Sequence, residues 1–213
     1  MNWENGLVWF VAFLISATVH EAAHAWVAML GGDRTAYQGG QVTLNPLPHI
    51  RREPFGIVGL PLLSLYLSGG DWCFGYASAP VDPIWAYHNP KKASLMSAAG
   101  PLANVLLAAV AFAVLYFIGR PDGGSEEAVR RIAGTFFVLN LLLAMFNLIP
   151  LPPLDGAGVV SGLSRPLRQL YDQLARVPYL TLVTFILANK LVPVLFTPVF
   201  RAVNGWLPYP FRW

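Results

Sequence analysis

His20-Glu21-Ala22-Ala23-His24 is an H-E-x-x-H sequence. On an α-helix, residues four apart share a face and lie about 6 Å apart along the axis, so both imidazoles can reach one metal ion. Zinc accepts such nitrogens at about 2.0 to 2.1 Å, and Glu21 can reach a water at the open coordination position. The chemistry this allows is metal-assisted hydrolysis, with an acidified water and a general base beside it. Two histidines and a water leave one ligand to be found. Val27 and Leu30 occupy the places where a Gly and a third His would continue the metzincin pattern, which excludes that class. Glu126 and Glu127 sit beside Gly123, Gly124 and Ser125, where a solvated loop explains them better. Asp155 follows the proline-broken end of an apolar stretch, in Asn147-Leu148-Ile149-Pro150-Leu151-Pro152-Pro153-Leu154-Asp155-Gly156. An aspartate there ordinarily serves a turn or a helix cap. Paired with the H-E-x-x-H helix it is the candidate third ligand, and a distant Glu ligand is the rival assignment.

The elements that must position these residues are membrane helices. Of 213 residues, 55% are hydrophobic and 12% charged, against roughly a quarter charged in a soluble domain. This composition predicts an all-α multi-pass membrane protein, a bundle of about four to six transmembrane helices forming one domain over residues 1–213. Its core is expected at 7–156, with a helical extension at 157–213. Net charge is +3, and the paired Arg51-Arg52, Lys91-Lys92 and Arg130-Arg131 are spread along the chain. Separate pairs suit loops facing anionic headgroups and not a nucleic-acid groove. Cys73 is the only cysteine, which excludes an internal disulfide and a thiolate zinc cluster.

Residues 7–31 hold no charged side chain but Glu21, so they read as a spanning helix of the mature chain that Gly31-Gly32 ends. Gln41-Val42-Thr43-Leu44 alternates polar and apolar residues before Asn45-Pro46, which predicts a short β-like loop. Residues 55–72 are apolar but broken by Gly56, Gly59 and Pro61, and either span or only dip into the bilayer. Further spans are expected at 93–119, 132–149 and 178–200, with 120–131 as a short polar turn. Ser94, Ser97, Ala98, Ala99, Gly100 and Ala103 give the middle span a small-residue surface for close helix approach.

The two motifs, H-E-x-x-H in a first span and N-x-x-P-x-x-x-L-D-G at the end of a later one, resemble the site-2 protease family of intramembrane zinc metalloproteases. The resemblance extends to Thr43-Leu44-Asn45-Pro46-Leu47-Pro48-His49 and to Ala98-Ala99-Gly100-Pro101-Leu102-Ala103-Asn104, and so covers roughly residues 7–156. It implies His20, His24 and Asp155 as ligands of one zinc ion, Glu21 as the base, and Asn147 as a polar group near the scissile carbonyl. It also implies a minimal form of the family, without peptide-binding or regulatory domains, in the cell membrane. After His49 many relatives have an Asp-Pro turn, where this chain has Ile50-Arg51-Arg52-Glu53-Pro54.

A substrate helix must unwind before its carbonyl can meet a metal, and its freed amides then need partners. Residues Gln41, Val42, Thr43 and Leu44 are the expected partners, pairing as an added strand. Ser16, Thr18, Asn104, Asn140 and Asn147 are candidates to line a water path, with helix-to-helix hydrogen bonding as the ordinary role of Asn104 and Asn140. His49 and His88 read as exposed interfacial residues. The expected partners are transmembrane-helix substrates and the lipid bilayer, with an adaptor or a second copy as further candidates. The competing function is a proteolytically inactive zinc-binding membrane protein, either a carrier or a pseudoprotease that binds client helices.

Overall fold

The computed structural model describes residues 3–211. Among the described residues four helices are long and apolar enough to cross a membrane: α1 (Trp3–Gly31), α6 (Pro90–Ile118), α7 (Gly124–Asn147) and α10 (Leu180–Asn204). Shorter helices join them: α2 (Thr35–Gln38), α3 (Pro46–Arg52), α4 (Leu60–Leu67), α5 (Pro83–His88), α8 (Asp155–Ser161) and α9 (Arg165–Leu174). The chain is an all-α multi-pass membrane protein. Phe55–Leu67 is helical throughout, opening with a π-helical turn at Phe55–Gly59. It falls short of the roughly 20 residues a span needs, so the 55–72 stretch forms no fifth crossing helix.

The spans α1, α6 and α7 pack on one another, α8 docks on α6, and α10 lies against α7. Trp9, Phe13 and Ala17 of α1 meet Ala108, Ala111 and Leu115 of α6 and Phe137, Val138 and Leu139 of α7 in one buried cluster. Small side chains on α6 let its neighbours come close, as van der Waals packing between membrane helices requires. The outward residues are apolar too, with Leu7, Val11 and Ile15 of α1 and Leu102, Leu106 and Val110 of α6 exposed. A helix apolar on all sides belongs in a hydrocarbon solvent.

Two expectations need correction. The Gln41–Leu44 segment forms no strand; it is a chain of bends, with His49 Nε2 against the Thr43 carbonyl at 3.1 Å and Asn45 capping α3 through Leu47 N–H at 3.0 Å. Alternation needs a neighbouring strand to make a sheet, and no strand exists among the described residues. The polar stretch 120–131 is a turn only as far as Gly123, because α7 begins at Gly124. Glu126 and Glu127 occupy its first turn, where carboxylates suit the helix dipole, and Glu126 accepts from Asp122 N–H at 2.8 Å.

The far end of α1 is closed by its surroundings. Gly31 O accepts from Trp85 Nε1 at 3.2 Å and from Lys92 Nζ at 3.0 Å, a cation at a helix C-terminus. Gly32 then turns the chain at φ 106°, a conformation open to glycine. Asp33 ties two loops together, accepting from Thr35 N–H at 2.8 Å and from Asp82 N–H at 2.9 Å.

Candidate metal centre

His20 and His24 project from α1 toward α6, and their Nε2 atoms lie 3.0 Å apart. Asp155, the first residue of α8, completes a triangle: its Oδ2 is 3.1 Å from His20 Nε2 and its Oδ1 3.3 Å from His24 Nε2. Among the described residues this is the only cluster of three or more such side chains able to hold a metal ion. Glu126 and Glu127, the rival third ligands, belong to no such group.

Three observations fit the triangle to zinc. Tetrahedral donors at about 2.0 to 2.1 Å from one ion are about 3.3 to 3.4 Å apart, close to the observed edges. His24 Nδ1 donates to the Met96 carbonyl at 2.7 Å, and His20 Nδ1 lies against the Asn104 side-chain amide. A proton on Nδ1 leaves His24 Nε2 with a lone pair facing the triangle, and Asp155 Oδ2 has no hydrogen-bond partner there despite its proximity to His20. Lone pairs and a carboxylate gathered at about 3 Å repel one another unless a cation sits among them. Glu21 is buried on the same helix, and its Oε2 also lacks a hydrogen-bond partner, as an atom awaiting a bound water would.

Glycine makes the room. A β-carbon at Gly100 of α6 would fall 2.3 Å from His24 Nε2 and 2.5 Å from His20 Nε2, so the imidazoles rest on bare backbone. Pro101 follows it and lacks an N–H, which deprives the Ser97 carbonyl of its helical partner. At Gly158 a β-carbon would meet Ser97 Oγ at 2.2 Å, and this close approach of α8 to α6 is what brings Asp155 under the histidines. Beside Asp155 opens a cavity of about 250 Å³ bordered by Ser97, Pro152, Gly158, Ser161, Tyr171 and Asp172.

Comparison with known proteins agrees with this chemistry. YwhC of Bacillus subtilis, whose name assigns it provisionally to the zinc metalloproteases, is 38% identical over 162 residues, covering 73% of this chain and 68% of its own. The chain belongs to this zinc metalloprotease family. Rip2 of Mycobacterium tuberculosis, a zinc metalloprotease by the same kind of provisional name, is 31% identical over 91% of this chain and 67% of its own. Rip2 of Mycolicibacterium smegmatis is 31% identical over 70% of this chain, which spans 54% of that protein. No family model matches the chain, and no solved structure matches it. Membership of a zinc metalloprotease family implies zinc, for which the triangle offers a donor set.

The other sequence-derived candidates stand apart from the triangle. Asn147 is the last residue of α7, and its Nδ2 donates to the Leu143 carbonyl of its own helix at 3.0 Å. No hydrogen bond joins Gln41, Val42, Thr43 or Leu44 to the triangle among the described residues; Gln41 is buried with both amide atoms unpaired, and Leu44 is exposed. His49 is buried, against expectation, because α3 turns it inward onto the Thr43 carbonyl. His88 is exposed as expected. Asn104 and Asn140 line no water path: both are fully buried, and Asn104 Nδ2 donates to Asn140 Oδ1 at 2.8 Å. Sequence reasoning missed Gly100 as a contact of the imidazoles, for which the small-residue run was the available signal. The Met96 carbonyl, being main chain, has no residue-type signal at all.

Proposed function

We propose that the chain is an intramembrane zinc metalloprotease of the site-2 protease type, hydrolysing peptide bonds in or near transmembrane segments of other proteins in the cell membrane. The observation that carries this reading is the triangle of His20, His24 and Asp155 donors, with the unpaired Oε2 of Glu21 on a helix long enough to span the bilayer. A charged residue in that setting costs about 2.5 to 3.5 kcal/mol on insertion scales and needs a functional reason.

Zinc held by His20, His24 and Asp155 would polarise the peptide carbonyl and lower the pKa of a bound water toward about 7. Glu21 takes the proton of the attacking water on its open Oε2 and delivers it to the leaving amine. Asn147 sits where α7 gives way to the loop that leads to Asp155. Once it releases the Leu143 carbonyl, its Nδ2 can donate to the substrate carbonyl oxygen. Among the described residues the backbone N–H groups of Val42, Thr43 and Leu44 have no backbone carbonyl partner, which leaves them available to an unwound substrate. Water reaches the site through the cavity beside Asp155.

The deciding experiment measures zinc content and cleavage of a synthetic transmembrane peptide by the purified protein and its Glu21→Gln variant. One zinc in both, with cleavage reduced at least about a hundredfold in the variant, is the expected result. Zinc without cleavage in either protein overturns the protease reading in favour of a carrier or a pseudoprotease.

A further inference from the structure

The two metal-facing imidazoles are held from behind in different ways. His24 Nδ1 meets a main-chain carbonyl, which only accepts, so its proton position is settled by the backbone. His20 Nδ1 meets the side chain of Asn104, whose amide could present either its oxygen or its nitrogen. The proton on His20 therefore depends on which way Asn104 faces.

Asn104 does not stand alone. Its Nδ2 donates to Asn140 Oδ1 at 2.8 Å, and Asn140 Nδ2 donates at 2.9 Å both to Ser16 Oγ and to the Phe136 carbonyl. Ser16, Asn104 and Asn140 are each 0% exposed, so water cannot substitute for any link. The Phe136 carbonyl cannot donate, and it fixes Asn140 with its nitrogen toward the main chain and its oxygen toward Asn104. That oxygen demands a donor, which turns Asn104 with its oxygen toward His20. His20 must then carry its proton on Nδ1 and present a lone pair at Nε2.

We propose that Asn104 and Asn140 are positioning residues, a relay by which the Phe136 carbonyl on α7 selects the metal-ready tautomer of His20 on α1. The relay runs α7 to α6 to α1, so the tautomer is imposed only when the three spans are packed together. Asn140 touches neither histidine nor Asp155 through a hydrogen bond and acts through Asn104 alone. The consequence for metal affinity rests on the zinc reading above; the tautomer itself does not.

The test uses the full chain in detergent, labelled with ¹⁵N-histidine and stripped of metal at neutral pH, with the His20 signal assigned by its loss in His20→Gln. Wild type should show a protonated Nδ1 and a bare Nε2 on His20. Asn140→Leu should let the Nε2–H form appear and weaken zinc binding about 10- to 100-fold in a chelator competition. Ser16→Ala should leave the tautomer unchanged, because the Phe136 carbonyl still orients Asn140. Asn104→Asp, which keeps an acceptor facing Nδ1 without help from Asn140, should hold the Nδ1–H form, whereas Asn104→Leu should let the Nε2–H form appear and supplies the second arm if Asn140→Leu does not fold. A wild-type His20 protonated on Nε2 overturns the proposal, as does an unchanged tautomer in folded Asn140→Leu. A wild type with the expected tautomer that binds no zinc overturns the zinc reading and leaves the relay standing.

Discussion

Gly100 and His24 are in such close approach that a single added methyl at Gly100 would sit 2.3 Å from the nitrogen facing the candidate metal. The same methyl would lie 2.5 Å from His20 Nε2, so neither imidazole could give way without striking the other. Overpacking of this kind costs about 1 to 3 kcal/mol. Gly100→Ala should therefore weaken zinc binding about 10- to 100-fold while the chain remains helical. A chelator competition with circular dichroism checks it, and an unchanged zinc affinity in Gly100→Ala would mean the imidazoles sit farther from α6.

Gly158 tests the third donor from the other side. A β-carbon there meets Ser97 Oγ at 2.2 Å, so Gly158→Val should lift α8 away from α6 and carry Asp155 with it. Zinc affinity is expected to fall at least about tenfold, in the range seen when the supports of metal ligands are removed. The double variant with Ser97→Ala, which clears the nearest obstruction, should recover part of that loss.

Asp33 predicts a pH dependence away from the metal. Burial works to raise its carboxyl, but hydrogen bonds to Thr35 and from the Asp82 N–H outweigh that and hold it below the usual carboxylate range. Its folded pKa lies under its unfolded value of about 3.9, so the stabilisation is complete above that value. It is lost as pH falls through the folded pKa. Hydrogen-exchange protection at Thr35 and Asp82, taken relative to the intrinsic rate at each pH, should fall in wild type below about pH 4. In Asp33→Ala exchange should be fast already at neutral pH, with about 2 to 3 kcal/mol less protection.

Cys73 is buried outside the long helices, and burial pushes its thiol up to about 12. The thiolate is the reacting form, so a maleimide at pH 8 should modify the folded protein slowly and the denatured protein at once. Rapid labelling of the native protein would place Cys73 at the surface.

Legibility in the sequence followed the distance over which each feature is specified. His20, Glu21 and His24 are set by spacing on one helix, and the apolar runs announced all four spans. Asp155 was reachable only by pairing two motifs far apart in the chain, and Asn104 was noted for polarity without its partner, Asn140, being certain. The Gln41–Leu44 alternation suggested β structure because a local pattern cannot report that no second strand lies alongside. Residues 124–131 looked like a turn because charge and glycine mark loops, although Glu126 and Glu127 are well placed to start a helix. The carbonyls of Met96 and Phe136 are common to every residue, so their part in holding the histidines is visible only in three dimensions.

The docking of α8 under α1 also bears on how the protein is made. Two of the metal donors are synthesised early, on the first span, and the third arrives more than a hundred residues later, on a short helix held by contact with α6. A nascent chain therefore enters the membrane with an incomplete set of candidate donors. A complete donor set is thus a property of the packed assembly, lost in any state that lets α8 slip from α6.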